Sequence, residues 1–201
     1  MARIAIIGAG SVGRALGVAF ARAGCEVVFG VREPGEPRHA DIGAATAVPA
    51  AAVSGAELVV LAVPADTVPA VVPNLGLAAG QVVVDATNAV RVAVPMGFAT
   101  MGELTASLVP EGVQVVKAFN TVGAEHMANP HTDKGGVFLP IAGDAEGAAS
   151  VAALATSMGF EPVVLGGRDR FGMLEEHARL WIHLAFGCGW GRQFAFTVVR
   201  R

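Results

Sequence analysis

A chain of 201 residues, 53% apolar and 15% charged, can bury one sizeable core and falls short of two independent folds. Its net charge of −3 and scattered arginines lack the basic footprint of a DNA or RNA binder, so no nucleic-acid partner is expected. No stretch reaches the roughly 18 uninterrupted apolar residues of a membrane span, and the two distant cysteines, Cys25 and Cys188, fit neither a metal quartet nor a disulfide framework. Buried thiols in a reducing, cytoplasmic compartment are the simple reading.

The apolar run 3–7 enters Gly8-Ala9-Gly10-Ser11-Val12-Gly13 and then helix-forming Arg14-Ala15-Leu16, which predicts a strand, a tight turn and a helix. Met1-Ala2-Arg3 and the apolar residues after it superficially resemble a secretory signal, but three glycines and Arg14 interrupt them. Gly8 permits the turn, Gly10 lets a diphosphate approach the backbone, and Gly13 lets the helix pack close to the strand. The anion would sit on free N–H groups at the positive helix end. A second strand, Glu26 to Arg32, ends where a dinucleotide's adenosine ribose belongs. Val31-Arg32 stands there in place of the usual carboxylate, and a guanidinium suits the extra phosphate of NADP. Arg38 is a second phosphate candidate, Glu33 is expected in solvent, and the competing reading makes Arg32 a solvated loop residue.

Glu57 to Pro64, Gln81 to Asn88 and Val113 to Asn120 are further apolar runs of central, parallel-strand type. A weak helix is expected over Ala65 to Val72. Strands at Gly136 to Ala142 and Pro162 to Leu165 flank a helix from Ala145 to Met158, with Gly159 as its C-cap. Apolar spacing from Arg170 to Phe186 predicts an amphipathic helix, broken by Gly187 to Gly191. The fold expected is α/β, a Rossmann doubly wound, mostly parallel sheet over residues 1–166, with a small C-terminal helical lobe at 167–201. Ligands of such sheets lie at the carboxyl ends of the strands. Ala62-Val63-Pro64, Asn88 and Ala118 to Thr121 are therefore expected to wall the ribose and nicotinamide, although Asn also serves in turns.

Gly8 to Gly13, Gly30-Val31-Arg32, Asp85-Ala86-Thr87-Asn88, Val116 to Thr121, Pro140 to Asp144 and Leu174-Glu175 before Leu180-Trp181 together resemble the NADPH:F420 (deazaflavin) oxidoreductases and their bacterial relatives. The Lys-Ala-Phe-Asn and Gly-Asp segments are similar to the soluble oxidoreductase domain of the STEAP metalloreductases. The resemblance implies an often dimeric enzyme that passes hydride between NADP(H) and a deazaflavin or flavin coenzyme. It also implies that Ala9, Ser11 and Val12 contact the diphosphate, Arg32 the ribose phosphate, and Ala62 to Pro64 with Asn88 the nicotinamide half. Asn120 would stand between the two coenzymes. Val31 replaces a hydroxyl residue common in relatives, and Ala89 replaces a proline.

Hydride transfer between stacked rings needs alignment and exclusion of water more than acid–base groups. The chain contains no tyrosine, so the Tyr-x-x-x-Lys acid of short-chain dehydrogenases is excluded. Lys117 is expected in a structural or electrostatic role and Lys134 in a loop. His177 and His183, six residues apart, do not form a metal pair on one helix face, and His126 and His131 could approach the acceptor but are expected in a solvated loop. Arg168 and Arg170 are candidates for an acidic acceptor tail, although two loop arginines are usually only solvated. The Gly-rich tail 187–191 either lines the acceptor pocket or caps the core. Three function classes follow: a deazaflavin or flavin reductase, a reductase of a small imine, carbonyl or ferric substrate, and a non-catalytic NADP(H)-binding module.

Overall fold

The computed structural model describes residues 1–90 and 92–199. In chain order the elements are β1 (Arg3–Ile7), α1 (Ser11–Arg22), β2 (Glu26–Gly30), β3 (Ala45–Ala47), α2 (Pro49–Val53), β4 (Leu58–Leu61), α3 (Val68–Val71), β5 (Val82–Asp85), α4 (Met101–Leu108), β6 (Gln114–Lys117) and α5 (Ala124–Met127). The two-residue strands β7 (His131–Thr132) and β8 (Gly135–Gly136) follow, then β9 (Phe138–Gly143), α6 (Ala145–Met158), β10 (Glu161–Gly166) and α7 (Phe171–Ile182).

Eight strands form one sheet in the order β3-β2-β1-β4-β5-β6-β9-β10, and β7 pairs with β8 apart from it. The first six strands are parallel and reproduce the Rossmann order 3-2-1-4-5-6. The mostly parallel expectation is met, with one reversal: β9 runs antiparallel to β6, and β10 parallel to β9.

The central strands are apolar throughout because both faces of the sheet are covered. Ile4 and Ile6 of β1 pack with Leu16 and Phe20 of α1, whereas Ala5 and Ile7 pack on the opposite face with Ala52, Val53 and Val68. Phe119 lies edge-on to Phe20 and Phe160, with centroids 6.0 and 5.8 Å apart, joining α1 to the far half of the sheet. Helix α7 buries Phe171 and Leu174 against Val115 and Ala142.

Helix α6 spans the expected residues and ends at Gly159 in the left-handed region (φ 97°). The expected helix 65–72 is instead a 3₁₀ turn (Ala65–Thr67), the single turn α3 and a second 3₁₀ turn (Val72–Asn74). Pro64, Pro69 and Pro73 punctuate that segment, and each proline removes an N–H that a longer helix would need. The helix expected over 170–186 changes pitch at its end, where α7 passes into a π turn at His183–Gly187. Cys25 is half-buried and burial pushes its thiol pKa up, but Cys188 is exposed, which corrects the expectation of two buried thiols. Among the described residues no helix is long and apolar enough to cross a membrane.

Candidate functional site

The carboxyl ends of β1 and β2 frame a cleft of about 600 Å³. Gly8 ends β1 at φ 107°, its N–H donates to Gly30 O at 3.0 Å, and a β-carbon there would lie 2.5 Å from Ala62 O. A β-carbon on Gly13 would lie 2.2 Å from Gly8 O, so this glycine allows α1 to close onto the strand. Gly10 differs from both. Nothing of the protein lies within 4 Å of where its β-carbon would be, and its backbone (φ −75°, ψ −173°) suits any residue. The space over Gly10 is open, and no side chain caps the 12-residue helix that starts beside it. Its first N–H groups are therefore available to an anion, which fits the diphosphate of a dinucleotide.

Gly8, Ala9, Gly10, Val31, Arg32, Ala62, Val63 and Pro64 line this cleft. Ser11 is exposed at the start of α1, and Gly13 serves packing. Arg32 is exposed at the rim, and Arg38 on the same wall pairs with Glu36. Glu33 lies in solvent as expected, its carboxyl pKa raised by the hydrogen bond and charge of neighbouring Glu36. Arg14 ties the loop over the cleft: its Nε donates to Ala9 O at 3.0 Å and its Nη1 pairs with Asp41 Oδ1 at 2.7 Å, which holds the Asp41 carboxyl below its usual range. His39 was not anticipated. It lines the cleft with both ring nitrogens buried and without a hydrogen-bond partner among the described residues. No spacing signal marks it, because it lies in the loop between β2 and β3.

Beyond Pro64 a second cavity of about 690 Å³ opens, lined by Val12, Asn88 and Asn120 on the sheet side and by Trp181, Ile182 and Phe186 of the C-terminal helix. Phe119, buried beneath it, is the one non-glycine residue with positive φ (63°) among those described. Such a backbone costs on the order of 1–3 kcal/mol and persists only where packing enforces it. The turn it makes puts Asn120 at the cavity wall. Asn88 Nδ2 donates to Asn120 O at 2.6 Å, while Asn120 Nδ2 donates to Asn88 Oδ1 at 3.0 Å and to Leu174 O at 3.3 Å. Both amide orientations are thus set by backbone carbonyls, which accept only. Asn120 Oδ1 is left buried without a partner. Ala118 is fully buried in the core, so its side chain stands behind the wall.

Behind the asparagines lies a charged cluster that sequence reasoning found only in part. Lys117, expected in a structural or electrostatic role, is 0% exposed and stands 3.1 Å from both Asp85 Oδ2 and Glu175 Oε1. Asp85 and Lys117 occupy paired positions at the ends of adjacent apolar strands, a signal the sequence did hold. Glu175, one helix away, had no such signal.

Other candidates stand elsewhere. Arg168 is spent on Asp144, its Nε donating to Oδ1 at 2.8 Å. Burial works to raise the Asp144 carboxyl, but the Arg168 hydrogen bond and the Val115 N–H override it and hold its pKa low. Arg170 pairs with Asp169. Because β9 is antiparallel, Asp144 sits at the amino end of β6, and both arginines stand in exposed ion pairs, nearer the reading of solvated loop residues than that of contacts to an acceptor tail. His177 packs between Phe138 and Phe196, with centroids 5.8 and 4.8 Å away, and burial lowers its pKa. In the tail, Phe194 stacks on Trp181 at 5.2 Å and Trp190 meets Phe194 edge-on, so these rings cap α7, while Arg192 reaches the cavity.

The model of the family described as NADP oxidoreductase, coenzyme F420-dependent, matches residues 3–89. A candidate F420-dependent NADP reductase from Arthrobacter sp. FB24 is 29% identical with a TM-score of 0.84, and the alignment covers 100% of both chains. Hypothetical protein SMa0349 from Sinorhizobium meliloti is 33% identical at TM-score 0.75, covering 84% of this chain and 87% of its own. A reductive aminase from Aspergillus terreus, solved with NADPH4, cyclohexanone and allyl amine, shares the fold at 18% identity and TM-score 0.68, over 94% of this chain and 63% of that one. No curated protein matches in sequence. With the glycine turn, the cleft and the strand order in place, residues 3–89 of the chain belong to the coenzyme F420-dependent family of NADP oxidoreductases.

Proposed function

We propose that this protein transfers hydride between NADP(H) and a deazaflavin (F420-type) or flavin coenzyme. The observation that carries the reading is the meeting of two cavities at Pro64: one fits a dinucleotide over Gly10, the other is a largely apolar slot with a buried, unpartnered amide oxygen, Asn120 Oδ1, on its wall. NADPH, when bound, supplies the hydride. Gly10 and the first turn of α1 would hold its diphosphate, and Arg32 the ribose phosphate. Asn120 would accept an N–H at the junction of the cavities, fixing a ring edge there. Val12, Trp181 and Ile182 would exclude water from a planar ring, and excluding water with fixed alignment is what hydride transfer requires.

The reading is tested by mixing protein and NADPH with F420, flavin mononucleotide, ferric chelates and cyclic imines in turn, following absorbance at saturating coenzyme. Turnover with the first two and not with imines is expected, and turnover confined to imines would overturn it. An imine acceptor has its own observation: Asp66, an exposed carboxyl at the lip of the second cavity, would be its proton source. Asp66→Asn would then abolish imine reduction, whereas under the flavin reading it leaves turnover unchanged.

A further inference from the structure

We propose that Lys117 is a positioning residue: its buried ammonium holds the Asn88–Asn120 pair and α7 in register, and so sets where the nicotinamide and its acceptor meet. This rests on the site reading given under Proposed function. The ammonium has three protons and three acceptors, each at 3.1 Å: Asp85 Oδ2, Glu175 Oε1 and Thr87 O. Asp85 and Thr87 lie together at the end of β5, whereas Glu175 lies on α7. Thr87 directly precedes Asn88, and its N–H also donates to Asp85 Oδ1 at 2.8 Å, so its backbone is held from both sides. Glu175 directly follows Leu174, whose carbonyl fixes Asn120. Lys117 therefore grips both members of the asparagine pair at one residue's remove. Helix α4 closes the cluster, with Thr105 Oγ1 donating to Asp85 Oδ2 at 3.1 Å and Gly102 N to Glu175 Oε1 at 3.2 Å.

Stability alone does not account for such a cluster. Desolvating two carboxylates and an ammonium is costly, and apolar side chains of similar volume serve stability as well or better. What apolar side chains lack is direction. Two hydrogen bonds and one ion pair from a single nitrogen fix the distances between the end of β5, the end of β6 and α7, and α7 continues into Trp181, Ile182 and Phe186 on the acceptor wall.

The test is the variant Lys117→Met combined with Asp85→Asn and Glu175→Gln, which removes the ammonium without stranding two carboxylates. Affinity for 2′,5′-ADP, which reports only the adenosine cleft, is expected within twofold of the native value. Single-turnover hydride transfer is expected to fall at least tenfold, and the fluorescence anisotropy of bound NADPH, which reports ring mobility, to drop. A lowered Tm with transfer and anisotropy unchanged would make Lys117 scaffold only and overturn the proposal. Should the triple variant not fold, Glu175→Gln alone is read the same way, since Lys117 then keeps its bonds to Asp85 and Thr87. If the native protein reduces no flavin or deazaflavin, the proposed function fails, while the anisotropy comparison still decides the role of Lys117.

Discussion

Gly10→Ala separates the two jobs that glycines do in the turn after β1. Its backbone angles are ordinary, and a methyl group there would touch no protein atom. Replacing a glycine at a compatible position stabilises by about 0.4–1 kcal/mol through the unfolded state, and losing glycine as helix N-cap offsets a similar amount. The net is near zero, within about 1 kcal/mol, or about 2–4 °C in Tm for a chain of this size. The methyl would, however, fill the space assigned to the diphosphate and displace it from the N–H groups of α1. Loss of one or two charge-assisted hydrogen bonds costs ~2–3 kcal/mol, a weakening of roughly 30- to 150-fold. Gly13→Ala should do the reverse: its β-carbon would meet Gly8 O at 2.2 Å, so the helix must move and stability falls. Differential scanning fluorimetry with isothermal calorimetry against NADPH measures both quantities on each variant. A Gly10→Ala protein that melts normally and binds NADPH as tightly as the native chain would refute the placement of the diphosphate, whatever Gly13→Ala does.

Arg32→Glu should weaken NADPH binding by about 1–3 kcal/mol, because the guanidinium's charge-assisted hydrogen bond to the ribose phosphate is removed, while NADH affinity stays level or improves; equal losses on calorimetry would remove Arg32 from the phosphate site. Phe119→Ala deletes a fully buried ring wedged between two others and should cost about 3–5 kcal/mol, read from the denaturant midpoint. Burial lowers the pKa of His177, so the unfolded chain takes up its proton first as pH falls. Its contribution is present above the ordinary histidine range near 6.5 and is lost as pH drops through the lowered value; His177→Phe should therefore lose less Tm than the native protein between pH 7.5 and pH 5.

The Rossmann half was legible because its signals are local. Apolar runs ending in glycine or proline, a glycine turn at the right spacing and a helix capped by Gly159 each declare themselves within about ten residues. The failures share a cause. The broken helix at 65–74 carries an apolar pattern that proline chemistry overrides, and Arg168 looked free because Asp144, its partner, is 24 residues away. Leu174-Glu175 stood out only as part of the family resemblance, and no local pattern tied Glu175 to Lys117, because that contact depends on α7 crossing the end of β6. A half-buried His39 in the segment between β2 and β3 has no periodicity to betray it.

For the same reason the least legible residues lie under the site. A parallel sheet ends in strand termini whose carbonyls and side chains lose their ladder partners, so polar groups there must find partners across the fold. In this chain Thr87, Asn88, Lys117 and Asn120 do so through each other and through α7, and the Phe119 backbone sits in a strained region to make that turn. Of the buried side-chain oxygens left unpaired there among the described residues, the Thr87 and Thr121 hydroxyls and Asn120 Oδ1, only the last belongs to a residue that lines the cavity. A buried unpaired carbonyl costs roughly 1–3 kcal/mol. That cost is recovered when a hydrogen-bond donor enters the cavity, so Asn120 Oδ1 is well placed to report, by a downfield shift of a ligand amide or a mutational loss of ring ordering, that a ligand has arrived.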